Sequence, residues 1–277
     1  VRLFISALLL VALPLAASAN ECKFSAARNA DLDAAGLKDL ALTLGSTDLD
    51  IRSAPGLTKV EVRGTACASD AAKLQDLQVN ARRSGDHATV DTSTTGGYIN
   101  INLFGASYAY MKLVVRVPPS LAVAVDSGSG DVTASDLASL NFDSGSGDLV
   151  ADHIAGLLTL KVGSADVKAQ HVGSVDMRGS GSGDVHVIDV QGDVHAAHSG
   201  SGDLSFEHVT GGVSIGGTGS GDIRLDSIGR DVDVGSTGSG DVTADGVGGN
   251  FSVHSTGSGD IRHSNVKGSI SVPKSDD

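Results

Sequence analysis

The chain has 277 residues, 37 of them Gly, with 3% aromatics and no Trp. Its formal net charge is −13, from 33 Asp and Glu against 20 Lys and Arg. A surface of that sign repels phosphate backbones and anionic lipid, so neither nucleic acid nor an anionic bilayer is an expected partner.

The chain opens with Arg2 and an apolar run from Ile5 to Ala17, broken by Pro14 and closed by Ala17-Ser18-Ala19. One basic residue, a short apolar core and a small-x-small end predict a secretory signal peptide over 1–19. The run is shorter than the ~20 residues of a spanning helix, and no later stretch is long and apolar enough to span. The expectation is an exported protein, in the periplasm or on the cell surface, without a transmembrane segment after signal cleavage. Cys22 and Cys67 are the two cysteines. In an oxidising compartment an even pair outside any metal-ligand spacing reads as a disulfide, closing a loop that contributes about 3–4 kcal/mol.

Residues 20–119 read as an N-terminal β region. Alternation predicts strands at 40–51, 59–63, 77–82, 88–92, 99–103 and 111–117, and Gly45-Ser46-Thr47-Asp48-Leu49 has the look of a worn repeat corner. A solenoid needs its open end covered, so this region is expected to include a cap. Within it Tyr98, Tyr108 and Tyr110, all the tyrosines of the chain, gather with Phe104 beside Gly and Ser. Such a mixture suits an adaptable recognition surface, and these four are the candidate ligand-binding residues. The competing reading is an aromatic plug over the first coil.

From 120 to 277 the chain is a repeat. Ser-Gly-Ser-Gly-Asp stands at 127–131, 144–148, 180–184 and 199–203, and with Thr first at 218–222, 237–241 and 256–260. Gly163-Ser164-Ala165-Asp166 is a degenerate copy. The corner aspartates are therefore Asp131, Asp148, Asp166, Asp184, Asp203, Asp222, Asp241 and Asp260, at steps of 17, 18 and 18 and then 19. One place after them every residue is aliphatic (Val132, Leu149, Val167, Val185, Leu204, Ile223, Val242, Ile261), the next place is mostly polar, and six places on the column is aliphatic again. A second alternating segment follows in most coils, as in Val213-x-Ile215 and Val232-x-Val234. Coils this short leave no room for βαβ units and cannot bury an apolar face alone, so they must stack. The fold class is all-β: a parallel β-solenoid of about 17–19 residues per coil with an N-terminal β region and cap. The corner glycines are expected to supply positive φ, and the Ser and Asp side chains to bond N–H groups of their own turn. Pro273 and the charges after it would blunt the last edge.

These corners and columns resemble a family of bacterial adhesin-like proteins of unassigned function, built of β-strand repeats with Ser-Gly-Ser-Gly-Asp corners. The resemblance covers roughly 40–277 and is strongest over 126–262. It implies a right-handed solenoid, an envelope or surface location and contact with envelope or cell-surface components. It brings no catalytic residues.

The residues themselves carry little chemistry. Stacked carboxylates ~5 Å apart repel by roughly 0.8 kcal/mol per neighbour in a water-like dielectric. Either corner hydrogen bonds or cations between coils must offset this, so a structural Asp ladder stands beside a calcium-binding repeat. His153, His171 and His208 share the column five places after the Asp and read as exposed polar positions. No metal, cofactor or catalytic residue is assigned. A β-helical polysaccharide-active enzyme remains the enzymatic alternative, but coils from 166 onward vary by at most one residue in length and leave no cleft-building insertion. The function expected is an exported, non-enzymatic adhesin-like or envelope structural and binding protein.

Overall fold

The computed structural model describes residues 22–94 and 107–273. The expected signal peptide 1–19, the strand expected at 99–103, Tyr98 and Phe104 lie outside them.

The repeat folds as its columns require. Ala122–Ser127 forms one strand, the corner 128–131 turns the chain, and Val132–Leu137 forms the second strand. Each later coil lays its pre-corner strand on the pre-corner strand before it, as in Leu140↔Val123 and Leu140↔Leu158. Post-corner strands stack likewise, through Val132↔Leu149, Leu149↔Val167, Val167↔Val185 and Val185↔Leu204. The result is two parallel ladders running the length of the solenoid, with the apolar columns facing each other between them. Large and small residues alternate across that core. Phe142 shares a coil with Ala151 and Phe206 with Ala196, and all four are buried to within 1% exposure. Complementary volumes of this kind let a narrow core reach close packing without Trp.

The stack begins before residue 120. We label the N-terminal strands β1 (Phe24–Asp33), β2 (Asp39–Gly45), β3 (Asp48–Ser53), β4 (Lys59–Ala68), β5 (Leu77–Ser84), β6 (His87–Thr94) and β7 (Ala109–Val117). β2 lies parallel to Ala122–Ser127 and β3 to Val132–Leu137, so the worn corner at 45–48 is a working one. On their other sides β2 pairs with β6 and β3 with β7, again in parallel. β6 and β7 thus stand as a further coil's two strands, except that residues 95–108 join them where 128–131 would. Beyond, the pairing becomes antiparallel: β5 on β6, β4 on β7 and β1 on β4. This antiparallel layer covers the end, and its edge strand β1 carries Arg28, Asp31 and Asp33, charges that discourage further pairing. A short helix, Ala71–Asp76, capped by the Asp70 carboxylate accepting from Lys73 N–H at 2.9 Å, links β4 to β5. The Cys22–Cys67 disulfide is formed, with Cα atoms 5.7 Å apart, and ties the start of β1 to the end of β4.

Two expectations about the corners need correcting. Among the described glycines positive φ occurs at Gly36, Gly45, Gly56, Gly85 and Gly246, and only Gly45 of these lies in a corner. The repeat glycines serve close approach instead. A Cβ on Gly202 would lie 2.1 Å from the Gly183 carbonyl oxygen, and one on Gly221 2.0 Å from that of Gly202. The side chains bond their own turn's N–H as expected at Ser144, whose Oγ accepts from Gly147 at 3.1 Å, but most corner bonds differ from expectation. The first Ser of a corner donates to the carbonyl of its second Gly, as Ser127 Oγ does to Gly130 at 2.7 Å and Ser199 Oγ to Gly202 at 3.0 Å. The Asp accepts from the coil that follows, not from its own turn.

Candidate functional site

The corner aspartates form one unbroken chain of bonds. Each accepts, through Oδ1, the backbone N–H of the next corner Asp: Asp148 from Asp166 at 2.9 Å, Asp184 from Asp203 at 2.9 Å, Asp203 from Asp222 at 2.8 Å and Asp241 from Asp260 at 2.8 Å. The same bond joins Asp131 to Asp148 and Asp166 to Asp184, at 3.1 and 3.0 Å, and Asp222 to Asp241 at 2.8 Å. Asp48 of the worn corner starts the series with Asp131 N–H at 3.4 Å. A charged acceptor at every N–H offsets the repulsion between stacked carboxylates. At Asp241 this bond, then Arg262, holds the carboxyl below its ordinary range.

The aromatic candidates are partly in view. Tyr108 and Tyr110 close the 95–108 link and open β7, with ring centroids 6.2 Å apart. Tyr110 is 41% exposed, and the Tyr108 hydroxyl accepts from the Lys23 N–H at 3.1 Å. Tyr110 pairs with Cys67 in the β4–β7 ladder, so the disulfide steadies the strand pair that carries these rings.

A third column was only half legible. The residue five places after each corner Asp is left-handed throughout: Asp136, His153, His171, Asp189, His208, Ser227, Gly246 and Asn265, with φ between 53° and 73°. L-residues reach this region at a cost that Gly, Asn and Asp bear best. The bend it makes breaks the strand's alternation, leaving these side chains out of the core on one flank of the coils while the next residue, such as Ile154 or Val172, turns back into the core. His153 and His171 stack there with centroids 4.5 Å apart and planes 19° apart. Asp152 Oδ1 is 2.8 Å from His153 Nδ1 and 2.9 Å from His171 Nδ1. Burial works to raise the Asp152 carboxyl, but the bonds from His171 and His153 outweigh it and hold the group below its ordinary range. Asp189 lies between His171 and His208, 3.6 Å from His171 Nε2 and 3.2 Å from His208 Nδ1. Further along, the column shrinks to Ser227 and Gly246, leaving a shallow groove that His208, Asn265 and Lys267 also line. Sequence spacing places the three histidines in one column; the bend that aims them, and Asp152 with them, comes from the backbone.

The sequence profile of the family described as Toastrack DUF4097 matches residues 37–233. The chain belongs to this family. The match takes in the toastrack protein's β2 and β3 and runs into the even part of the repeat, ending within the strand Val232–Thr237. Among solved structures it is similar to a "putative lipid binding protein" of Parabacteroides distasonis, at 15% identity and TM-score 0.51 over 91% of this chain and 98% of that one. It is also similar to a "putative adhesin" of Bacteroides fragilis, at 14% identity and TM-score 0.38 over 90% and 97% of the two chains. A "putative cell adhesion protein" of Clostridium sporogenes aligns at 12% identity and TM-score 0.31, over 90% and 100%. The first of these likenesses shows the fold. A comparison with curated proteins returns no match. No helix among the toastrack protein's described residues is long and apolar enough to cross a membrane.

Proposed function

We propose that this toastrack protein is an exported, non-enzymatic, adhesin-like component of the bacterial envelope, a rigid acidic rod whose specific contact is made at its N-terminal end by the segment around Tyr98, Phe104, Tyr108 and Tyr110. The observation that carries this reading is the sameness of the coils. The two ladders run on with one short corner per coil, and no coil from 166 onward carries an insertion that could wall a cleft. The 95–108 link is the departure from that rule, and it holds two of the three tyrosines of a chain with few aromatics. Tyr side chains present large, rigid contact area at low entropic cost, which the Thr, Ser, Asp and Lys of the coil exteriors do not. The disulfide supports an extracytoplasmic setting.

The test is binding of purified protein to intact cells and to isolated envelope material. A Tyr98/Tyr108/Tyr110→Ala variant with parental circular dichroism and melting should lose most of the binding. Undiminished binding by that variant would refute the tyrosine site, and cleavage of a polysaccharide by the pure protein would refute the non-enzymatic reading.

A further inference from the structure

We propose that Asp152, His153 and His171 form a binding site for a divalent transition-metal ion of the zinc, copper or nickel class, on the flank made by the left-handed column. The inference is independent of the tyrosine contact.

The backbone supplies the preorganisation. His153 and His171 both sit at φ 55°, in adjacent coils whose strands pair residue for residue through Ala151↔Ala169 and Ile154↔Val172. The stacked strands hold the backbones of the two histidines at a fixed separation. A left-handed position favours Gly, Asn or Asp, which occupy the column at 136, 189, 246 and 265, and it also accepts His, which stands at 153, 171 and 208.

The donors converge. Both imidazoles turn Nδ1 toward the same carboxylate oxygen of Asp152, and the ligand atoms of the three residues lie within 4.8 Å of one another. A tetrahedral ion with bonds of about 2.0–2.1 Å wants its ligands about 3.4 Å apart, so small side-chain rotations suffice. Two imidazoles and one carboxylate suit zinc, copper and nickel and are a poor set for calcium, which takes oxygen. His153 and His171 are exposed and Asp152 partly so, leaving room for water in the remaining positions. The outer contact is in place as well: Asp189 Oδ2 lies 3.6 Å from Nε2 of His171. A metal on Nδ1 leaves the Nε2 proton to face that carboxylate, an arrangement that fixes the ring and raises its basicity. Asp189 is thus a positioning residue, and His208, 3.2 Å from its other oxygen, holds it in turn.

The experiment is calorimetric titration of the purified, tag-free protein at pH 7.5 with ZnCl2, NiCl2 and CaCl2. One saturable zinc site per chain is expected, with no calcium site on this flank. His153→Asn and His171→Asn, which keep a residue that tolerates left-handed φ, should each weaken zinc at least about tenfold. Asp189→Asn should weaken it by about tenfold while leaving one site, and His254→Asn, elsewhere on the coils, should not change it. As a second readout, one equivalent of nickel should broaden the ring resonances of His153 and His171 before those of His254 and His263. Absence of saturable zinc binding, or binding that His153→Asn and His171→Asn leave intact, would overturn the proposal.

Discussion

Gly202→Ala isolates the reason for glycine at the corners. The new Cβ would lie 2.1 Å from the carbonyl oxygen of Gly183 and 2.7 Å from its carbon. A comfortable carbon–oxygen contact is about 3.3 Å, so the two coils must part locally by about 1 Å. That movement stretches Ser201 N–H to Gly181 O at 2.8 Å, Asp203 N–H to Asp184 Oδ1 at 2.9 Å and Val185 N–H to Asp203 O at 2.9 Å. Each such bond contributes about 0.5–1.5 kcal/mol net, giving a loss of about 2–4 kcal/mol. For a domain of this size that is about 5–12 °C in melting temperature. Ser201→Ala, at an exposed position in the same corner, is the control and should stay within about 0.5 kcal/mol. Nature offers one contrast. Ala165 occupies the second-glycine position in a corner that has Val162 in place of the leading Ser, and nearby the ladder shifts register between Leu160/Met177 and Lys161/Gly179. The ladder around Gly202 has no such slack. Thermal and urea unfolding followed by far-UV circular dichroism decide the matter. If Gly202→Ala and Ser201→Ala melt together, close approach is not why glycine stands there.

Val185, 1% exposed and stacked between Val167 and Leu204, should not tolerate a charge: Val185→Asp is expected to cost several kcal/mol in urea unfolding. Asp203→Asn keeps an oxygen for the Asp222 N–H and should cost a small fraction of that, so equal losses would overturn the assignment of inward and outward columns. Asp241 has a folded pKa below its ordinary value, so its contribution to stability is complete above the ordinary carboxylate range and is lost as pH falls through the depressed value. Carboxyl-carbon NMR titration should show Asp241 ionising below its unfolded-chain value, and Arg262→Ala should move it part of the way back. No upward movement in that variant would show that Arg262 does not act on the carboxylate.

The solenoid was legible because its signal repeats. An aliphatic after every corner Asp, and another six places on, marks the inward columns by spacing alone, and Cys22 with Cys67 followed from their number and setting. What escaped was either local and weak or non-local and strong. β1 was missed because its half-buried positions are Ala26, Arg28, Ala30 and Leu32, too mixed to stand out as an apolar face. The helix at 71–76 is too short to show a period. The role of the corner glycines depends on a carbonyl one coil away, which no window of sequence contains. Likewise His153, His171 and Asp189 share a column on paper, but that the two histidines meet Asp152 depends on a left-handed bend imposed by stacking. Tyr108 and Tyr110 could be named, whereas their place on a coil whose corner has been replaced by a longer link appears only once β6 and β7 are seen in the two ladders.

The corner-to-corner bonding has a genetic corollary. Because each Asp binds only the coils directly before and after it, and each coil of the even part spans 19 residues, one coil is a cassette with matching upper and lower faces. In-frame duplication or loss of such a unit, for example 204–222, leaves every remaining junction of the same kind. It would change the rod by about 4.8 Å per coil and rotate nothing else out of register. Reach from the N-terminal end then becomes a quantity that slippage in the coding DNA can adjust in small, structurally neutral steps, while the contact surface at that end stays as it is.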